Sequence, residues 1–461
     1  DEYGGSLENR SRYLLECIES IRKSIPEDMP LIMRIDAHDD YVENGLTIEE
    51  VIQFCKIAGK SGVDVLSISR GNSVSAAVKY EVPPIDLPRG FNVENAARIR
   101  KETNMLTIAA GRINDPQQAE DIIADGKADM VVMGRAQIAD PEFCNKAYAG
   151  DADSIVRCLG CNQGCFDGYF LPSFPHLTCM RNPAVGREAE YTLVKTESPK
   201  KVLVAGGGMA GLEAAITLKQ RGHDPVLCEE SDRLGGQFLL AGAAPRKSEM
   251  RDAAVSRGNQ AAKMGVEIRL STPVSKDLIE KMNPDVIVVA TGAVPMTLNV
   301  PGADLPNVTN SAAVLSGKVT PKGNVVVIGG GLVGLEVAEY LAEKACNVTV
   351  VEFLDEVGKD LSQFRKICVM ESLYSTGIKT MVNAKCIEIK DRSVVIERDG
   401  KNEEISCDYI VMSVGSRPKG YEQIKDLCEE KGLTYYAVGD AVSARRALNA
   451  IAEGADIGRK I

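Results

Sequence analysis

A fifteen-residue unit recurs in similar form in this 461-residue chain, as KVLVAGGGMAGLEAA from Lys201 and as NVVVIGGGLVGLEVA from Asn324, 123 positions later. Each copy runs from an apolar strand through three glycines into a helix, the opening of a strand–turn–helix unit on a parallel sheet. Within each lies G-x-G-x-x-G, formed by Gly206, Gly208 and Gly211 and again by Gly329, Gly331 and Gly334. The first glycine permits the tight turn, the second lets backbone approach a pyrophosphate, and the third lets helix and strand pack closely. The amides at the start of the helix then offer donors and a positive dipole end to phosphate. Alone, such a motif is a weak signal. Here each copy has an acid 23 residues after its first glycine, Glu229 and Glu352, at the end of the next apolar run. A carboxylate there accepts hydrogen bonds from ribose hydroxyls and repels a 2′-phosphate.

Three further segments bear on which nucleotide each copy takes. SDRLGGQF follows Glu229 and brings Gly235, Gly236 and Gln237 as a second close backbone approach. VIVVATGAVP (286–295) and YYAVGDA (435–441) resemble the other signatures of the glutathione-reductase-like flavoproteins. That resemblance implies FAD on the first fingerprint, with Gly439 and Asp440 at the flavin's ribityl chain, and NAD(P)H on the second. No arginine follows Glu352 directly, which favours NADH over NADPH.

The first 150 residues alternate in another rhythm. Leu14, Ile18, Ile21 and Ile25 fall on one helical face, and Thr47 with Glu50 makes a capping-box pair ahead of a second helix. PLIMRID (30–36), VDVLSIS (63–69), NMLTIAAG (104–111) and ADMVVMG (128–134) read as strands, with helices near 92–102 and 115–125. This predicts parallel β-α units, either a small open α/β layer or half of a barrel.

Between these halves stands CLGCNQGC, followed by HLTCMRNP. Cys158, Cys161, Cys165 and Cys179 lie in a segment rich in glycine, proline and asparagine, where a metal cluster can replace a hydrophobic core. Thirteen cysteines, an odd number without a pairing framework, suit a reducing cytoplasm better than disulfides. Structural zinc usually takes paired C-x-x-C or Cys/His motifs. C-x2-C-x3-C with one distant cysteine is closer to iron–sulfur ligation, although the spacing leaves zinc open. His176 reads as a surface residue, and the nine remaining cysteines as small buried apolar residues.

A net charge of −11 argues against nucleic acid and anionic membranes as partners. The apolar stretch near 325–342 is interrupted by glycines, Glu336 and Glu339, so no membrane span and no secretory signal are expected. A homo-oligomer is compatible with the sequence.

Together these motifs resemble the flavin oxidoreductases related to old yellow enzyme that carry an iron–sulfur cluster, typified by 2,4-dienoyl-CoA reductase, 2-enoate reductase and trimethylamine dehydrogenase. The likeness covers essentially the whole chain: DEYGGSLENR, GRINDPQQAEDI, MGRAQIADPEF and CLGCNQGCFDGYF with its later cysteine all match family segments. It implies an α/β chain made of the C-terminal half of a TIM (β/α)8 barrel, an iron–sulfur segment, and two Rossmann-like, glutathione-reductase-like domains. The expected spans are 1–155 for the FMN barrel and 156–195 for the cluster, with 196–296 and 416–461 for FAD and 297–415 for NAD(P)H. By the same resemblance the chain lacks the first third of the protein, Arg34 sits beside the FMN ring, and backbone at Gly111, Arg112, Gly134 and Arg135 holds the FMN phosphate. An ion pair of Arg34 with Asp36 is the structural alternative. The four cysteines would hold a 4Fe–4S cluster, and the thirteen residues before Cys179 imply a local bulge.

The implied activity carries electrons from NADH through FAD, the cluster and FMN to an activated C=C bond of a 2-enoate, enoyl-CoA or enone, bile-acid-like compounds included. The general acid is expected outside the chain, which alone should not be fully active. The family's dienoyl-CoA members use a histidine in the loop after the second strand read here. SRGNSVSAAVKYEVPPIDLPRG has none, and Tyr80 is a weak substitute. His38 could reach the cleft mouth, with a surface role favoured. The alternatives are a trimethylamine-type amine dehydrogenase or demethylase, or an NADH-linked electron-transfer module; the intact second fingerprint favours reduction.

Overall fold

A computed structural model describes residues 2–168 and 176–461 and divides the chain into two compact units, Asp1–Asn162 and Gln163–Ile461. In the first, β1 (Ile32–Asp36), β2 (Val65–Ser69), β3 (Leu106–Ala109) and β4 (Met130–Val131) form a parallel sheet in sequence order. Its longer helices are Leu7–Ser24, Ile48–Lys60, Val93–Thr103 and Pro116–Ala124. The capping box forms: Thr47 Oγ1 accepts from Glu50 N and the Glu50 carboxylate accepts from Thr47 N, a device worth about 1 kcal/mol. Val51, Ile52 and Cys55 on that helix pack with Met33, Leu66 and Ile68 to make the core of this unit.

The first helix of this unit buries little of its apolar face, and one strand is shorter than read. Only Ile18 of the first helix's apolar positions is buried, while Leu14 and Ile21 are exposed. The fourth strand is two residues long, and Gly134 already begins the helix Gly134–Ala139.

No α-helix or strand occurs among the described residues from 156 to 200. The second unit then carries two five-stranded parallel sheets of like design. One joins β5 (Lys201–Ala205), β6 (Asp224–Cys228), β7 (Glu267–Arg269) and β8 (Val286–Val289) with β19 (Thr434–Ala437), in the order β19-β8-β5-β6-β7. The other joins β10 (Val308–Asn310), β11 (Asn324–Ile328), β12 (Asn347–Val351) and β13 (Lys379–Met381) with β17 (Tyr409–Met412), in the order β10-β17-β11-β12-β13. In both, the glycine-bearing strand is central, and its residues after the first are buried on both faces, as a helix-covered parallel sheet requires. An antiparallel sheet of β14 (Lys385–Lys390), β15 (Ser393–Arg398) and β16 (Lys401–Ser406) packs on the second. β9 (Ala293–Pro295) pairs with β18 (Ser416–Pro418) where the chain leaves and re-enters the first sheet's module.

Seven of the nine cysteines outside the cluster are buried; Cys17 is half-buried and Cys144 exposed, so the core reading fails for those two. No helix among the described residues is long and apolar enough to cross a membrane.

Candidate functional site

Gly206 follows β5 with φ +115°, and a Cβ there would lie 2.3 Å from Ala290 O. A Cβ on Gly211 would lie 1.9 Å from Gly206 O, so helix Met209–Arg221 crosses its strand at a distance only glycine allows. Gly208, by contrast, faces open space at the helix start. Around that opening the expected residues converge. Glu229 Oε2 accepts from Gly207 N at 2.7 Å, and its Oε1 accepts from Ser231 N at 2.9 Å. Gly235 N donates to Gly207 O at 2.8 Å, and a Cβ on Gly236 would lie 3.1 Å from Gly208 Cα. Gln237 Nε2 donates to Asp440 Oδ2 at 3.4 Å, and a Cβ on Gly439 would meet Ala210 Cβ at 3.1 Å. Burial pushes the Asp440 carboxyl above its ordinary range.

The second cradle repeats this geometry. A Cβ on Gly329 would lie 2.3 Å from Ser413 O, and one on Gly334 would lie 1.8 Å from Gly329 O. Glu352 Oε2 accepts from Gly330 N at 2.5 Å, and its Oε1 accepts from Leu354 N at 2.8 Å. Gly331 caps helix Leu332–Glu343. Phe353, where an arginine would recognise a 2′-phosphate, is 66% exposed.

In the first unit, Gly111 (φ +130°) and Arg112 (φ +52°) turn the chain just past β3, and Gly134 opens a helix just past the paired β4. Backbone amides therefore gather at the C-terminal ends of two neighbouring strands, the phosphate-binding end of such sheets. The side chains face elsewhere: Arg112 donates to the carbonyls of Leu87 and Leu159, and Arg135 to Asn162 Oδ1 (2.6 Å) and Pro83 O (2.9 Å). Arg34 is exposed on β1, on the face opposite Met33. Asp36 accepts instead from Ser69 Oγ, so the alternative ion pair does not form. Tyr80 is stacked on Phe91 at 5.5 Å and covered by the Arg70 guanidinium at 4.1 Å, and burial raises its hydroxyl pKa. His38 lies between Asp40 (3.6 Å) and Asn95 (3.5 Å).

Of the four cysteines, Cys158 and Cys161 fall in the first unit, Cys165 and Cys179 in the second. All four are partly exposed. Cys158 Sγ accepts from Gly160 N and Cys179 Sγ from Arg181 N, each at 3.4 Å. Thr178 N donates to Gly164 O at 3.4 Å, and a Cβ on Gly164 would lie 2.6 Å from Thr178 O, which sets the stretches leading into Cys165 and Cys179 side by side. Among the described residues no three His, Cys, Asp or Glu side chains are grouped as a metal site. The donor set nonetheless suits a cluster, since amides directed at sulfur stabilise thiolate charge. The expected bulge over 166–178, with Tyr169 and Phe170 of the motif, falls partly on 169–175, outside the described residues. His176 is half-buried against Gly186. Sequence reasoning passed over Asp167, beside Cys165. Burial pushes its carboxyl up to about 6 against the pull of Arg446 and Arg365.

Paired glycine cradles in the second unit and strand-end amides in the first are the marks of a flavin- and NAD(P)H-dependent oxidoreductase. The pyridine nucleotide-disulphide oxidoreductase family model matches residues 200–454, and the NADH:flavin oxidoreductase / NADH oxidase family model matches 1–154. The chain belongs to the NADH:flavin oxidoreductase / NADH oxidase family, in the form that also carries the pyridine-nucleotide module. It is 38% identical to an NADH oxidase of Thermoanaerobacter brockii over 100% of this chain and 71% of the relative. It is 35% identical to a bilirubin reductase of Mediterraneibacter gnavus over 98% of this chain and 71% of that protein. Among solved structures, a 2-naphthoyl-CoA reductase in complex with 2-naphthoyl-CoA superposes with TM-score 0.94 at 33% identity, covering 100% of this chain and 70% of that one.

Proposed function

We propose that the chain is the electron-input and cluster-bearing portion of an NADH-dependent reductase of activated C=C bonds, acting on an unsaturated acid, thioester or ketone. The duplicated cradle carries this reading: two dinucleotide-shaped turns on one chain serve a transfer between two nucleotide cofactors. Gly206, Gly208, Gly211, Glu229, Gly235, Gly236, Gln237, Gly439 and Asp440 are assigned to FAD, and Gly329, Gly331, Gly334 and Glu352 to NADH. Backbone at Gly111, Arg112, Gly134 and Arg135 is assigned to the FMN phosphate, and Arg34 to the isoalloxazine edge. Cys158, Cys161, Cys165 and Cys179 are assigned to a 4Fe–4S cluster. The flavins and the cluster supply two-electron and one-electron chemistry; the chain binds, orients and insulates them. The assigned spans are 1–155 for FMN, 156–195 for the cluster, 196–296 with 416–461 for FAD and 297–415 for NAD(P)H.

Relatives that reduce bilirubin and 2-naphthoyl-CoA by name support a conjugated, carbonyl-activated substrate. The experiment is NADH consumption by the anaerobically purified enzyme with an enoate, an enoyl thioester and trimethylamine offered in turn. Oxidation of NADH driven by an unsaturated carbonyl compound is expected; reduction of an acceptor dye driven by the amine would favour the dehydrogenase instead.

A further inference from the structure

Beyond their shared glycines the two cradles diverge, and one divergence falls at the mouth of the helix. The offset of 123 runs on past the glycines, so Gly207 and Gly235 match Gly330 and Gly358, and the amide-to-carbonyl bond joining each pair recurs at 2.8 and 2.7 Å. Two residues further, Gln237 matches Asp360. Gln237 turns its amide toward Asp440. Asp360 folds back instead, and both its carboxylate oxygens accept from Leu332 N, at 2.9 and 3.0 Å. Leu332 is the first residue of the helix behind the second fingerprint. The space tells the same story: a Cβ on Gly208 would meet nothing within 4 Å, whereas one on Gly331 would meet Asp360 Oδ2 at 3.3 Å.

The amide that Asp360 occupies is the one such a turn offers to a dinucleotide pyrophosphate. A carboxylate and a phosphate carry the same charge and compete for the same donor, so both cannot be seated there. We propose that Asp360 is a positioning residue that holds the pyrophosphate place of the second cradle while the cradle is empty, and that the entering nucleotide displaces it. The backbone favours a side-chain swing over a loop rearrangement. Asp360 O accepts from Arg446 Nη2 at 2.9 Å, so the loop is anchored separately from the carboxylate. The neighbouring Lys359 pairs with Asp355 at 3.0 Å. The carboxylate thus caps an otherwise bare helix start, and apparent nucleotide affinity falls by the fraction of molecules in which the place is taken. This rests on the second fingerprint being the NADH site.

The test uses the flavin-loaded chain and ADP-ribose, which has the pyrophosphate but cannot reduce flavin. Dissociation constants and melting temperatures are measured for wild type, Asp360→Asn and Asp360→Ala. The variants should bind ADP-ribose about three- to tenfold more tightly, melt lower when empty, and show a larger ligand-induced rise in melting temperature. A residue with only a structural role would lower the empty melting temperature and leave the rise unchanged. Tight binding by wild type with equal or weaker binding by both variants overturns the inference alone. Absence of ADP-ribose binding in all three proteins overturns the site assignment, and this inference with it.

Discussion

Lys247 Nζ and Glu336 Oε1 form a buried ion pair at 2.5 Å, with both side chains under 5% exposed. Arg365 Nη1 approaches the same oxygen at 3.4 Å. Glu336 lies on the helix of the second fingerprint. Its counterpart 123 residues earlier, Glu213, is likewise held by a cation, Arg257 at 2.6 Å. Lys247 comes from the stretch after the first cradle, so this pair ties one nucleotide module to the helix of the other.

Removing Lys247 leaves Glu336 with only the longer Arg365 contact in a low-dielectric interior. Lys247→Ala should cost about 3–5 kcal/mol in denaturant unfolding, whereas the double change Lys247→Met, Glu336→Leu should recover most of the loss. Equal losses in the single and double variants would contradict this.

Gly334→Ala would set a methyl group 1.8 Å from Gly329 O, and Gly211→Ala one 1.9 Å from Gly206 O. Each should deform only its own cradle. Flavin absorbance of the purified variants separates them: Gly334→Ala keeps FAD and loses its reduction by NADH, while Gly211→Ala is isolated with little FAD.

Asp440 gives a pH dependence of definite sign. Burial raises its folded pKa above that of the unfolded chain, so the folded state binds the proton more tightly. Its contribution to stability is therefore full below the ordinary aspartate range near 4 and is lost as pH rises through the raised value. Without ligand, Asp440→Asn should melt higher than wild type at neutral pH, with the gap closing as pH falls below that range. The same variant should bind FAD more weakly.

Thiol reactivity follows burial. Burial pushes Cys55 up to about 12 and Cys386 and Cys407 up to about 11, so all three remain thiols at pH 8. Cys144 is exposed. Outside the cluster segment, peptide mapping after brief iodoacetamide treatment should find Cys144 labelled and those three unlabelled.

Features fixed by local chemistry were legible in the sequence. The paired glycine turns and the Thr47–Glu50 box depend on a few neighbouring residues, and both form; the two acids stand beside their turns, each accepting from a glycine amide. Contacts that depend on what the fold brings together were not. Exposure of Leu14 and Ile21 depends on what packs against the first helix, which periodicity does not reveal. Arg112 and Arg135 attracted attention as phosphate neighbours, yet their guanidinium groups serve distant carbonyls and Asn162. Asp360 was readable in principle, since extending the 123-residue offset past Glu352 sets it opposite Gln237, but only the folded loop shows its carboxylate on Leu332.

The central claim is that the second cradle feeds reducing equivalents to the first. An anaerobic titration of the purified flavoprotein with NADH, followed at the flavin absorbance near 450 nm, tests it most directly. Bleaching at stoichiometric NADH is expected in wild type and none in Gly334→Ala; a wild-type flavin that stays oxidised under excess NADH would contradict the transfer.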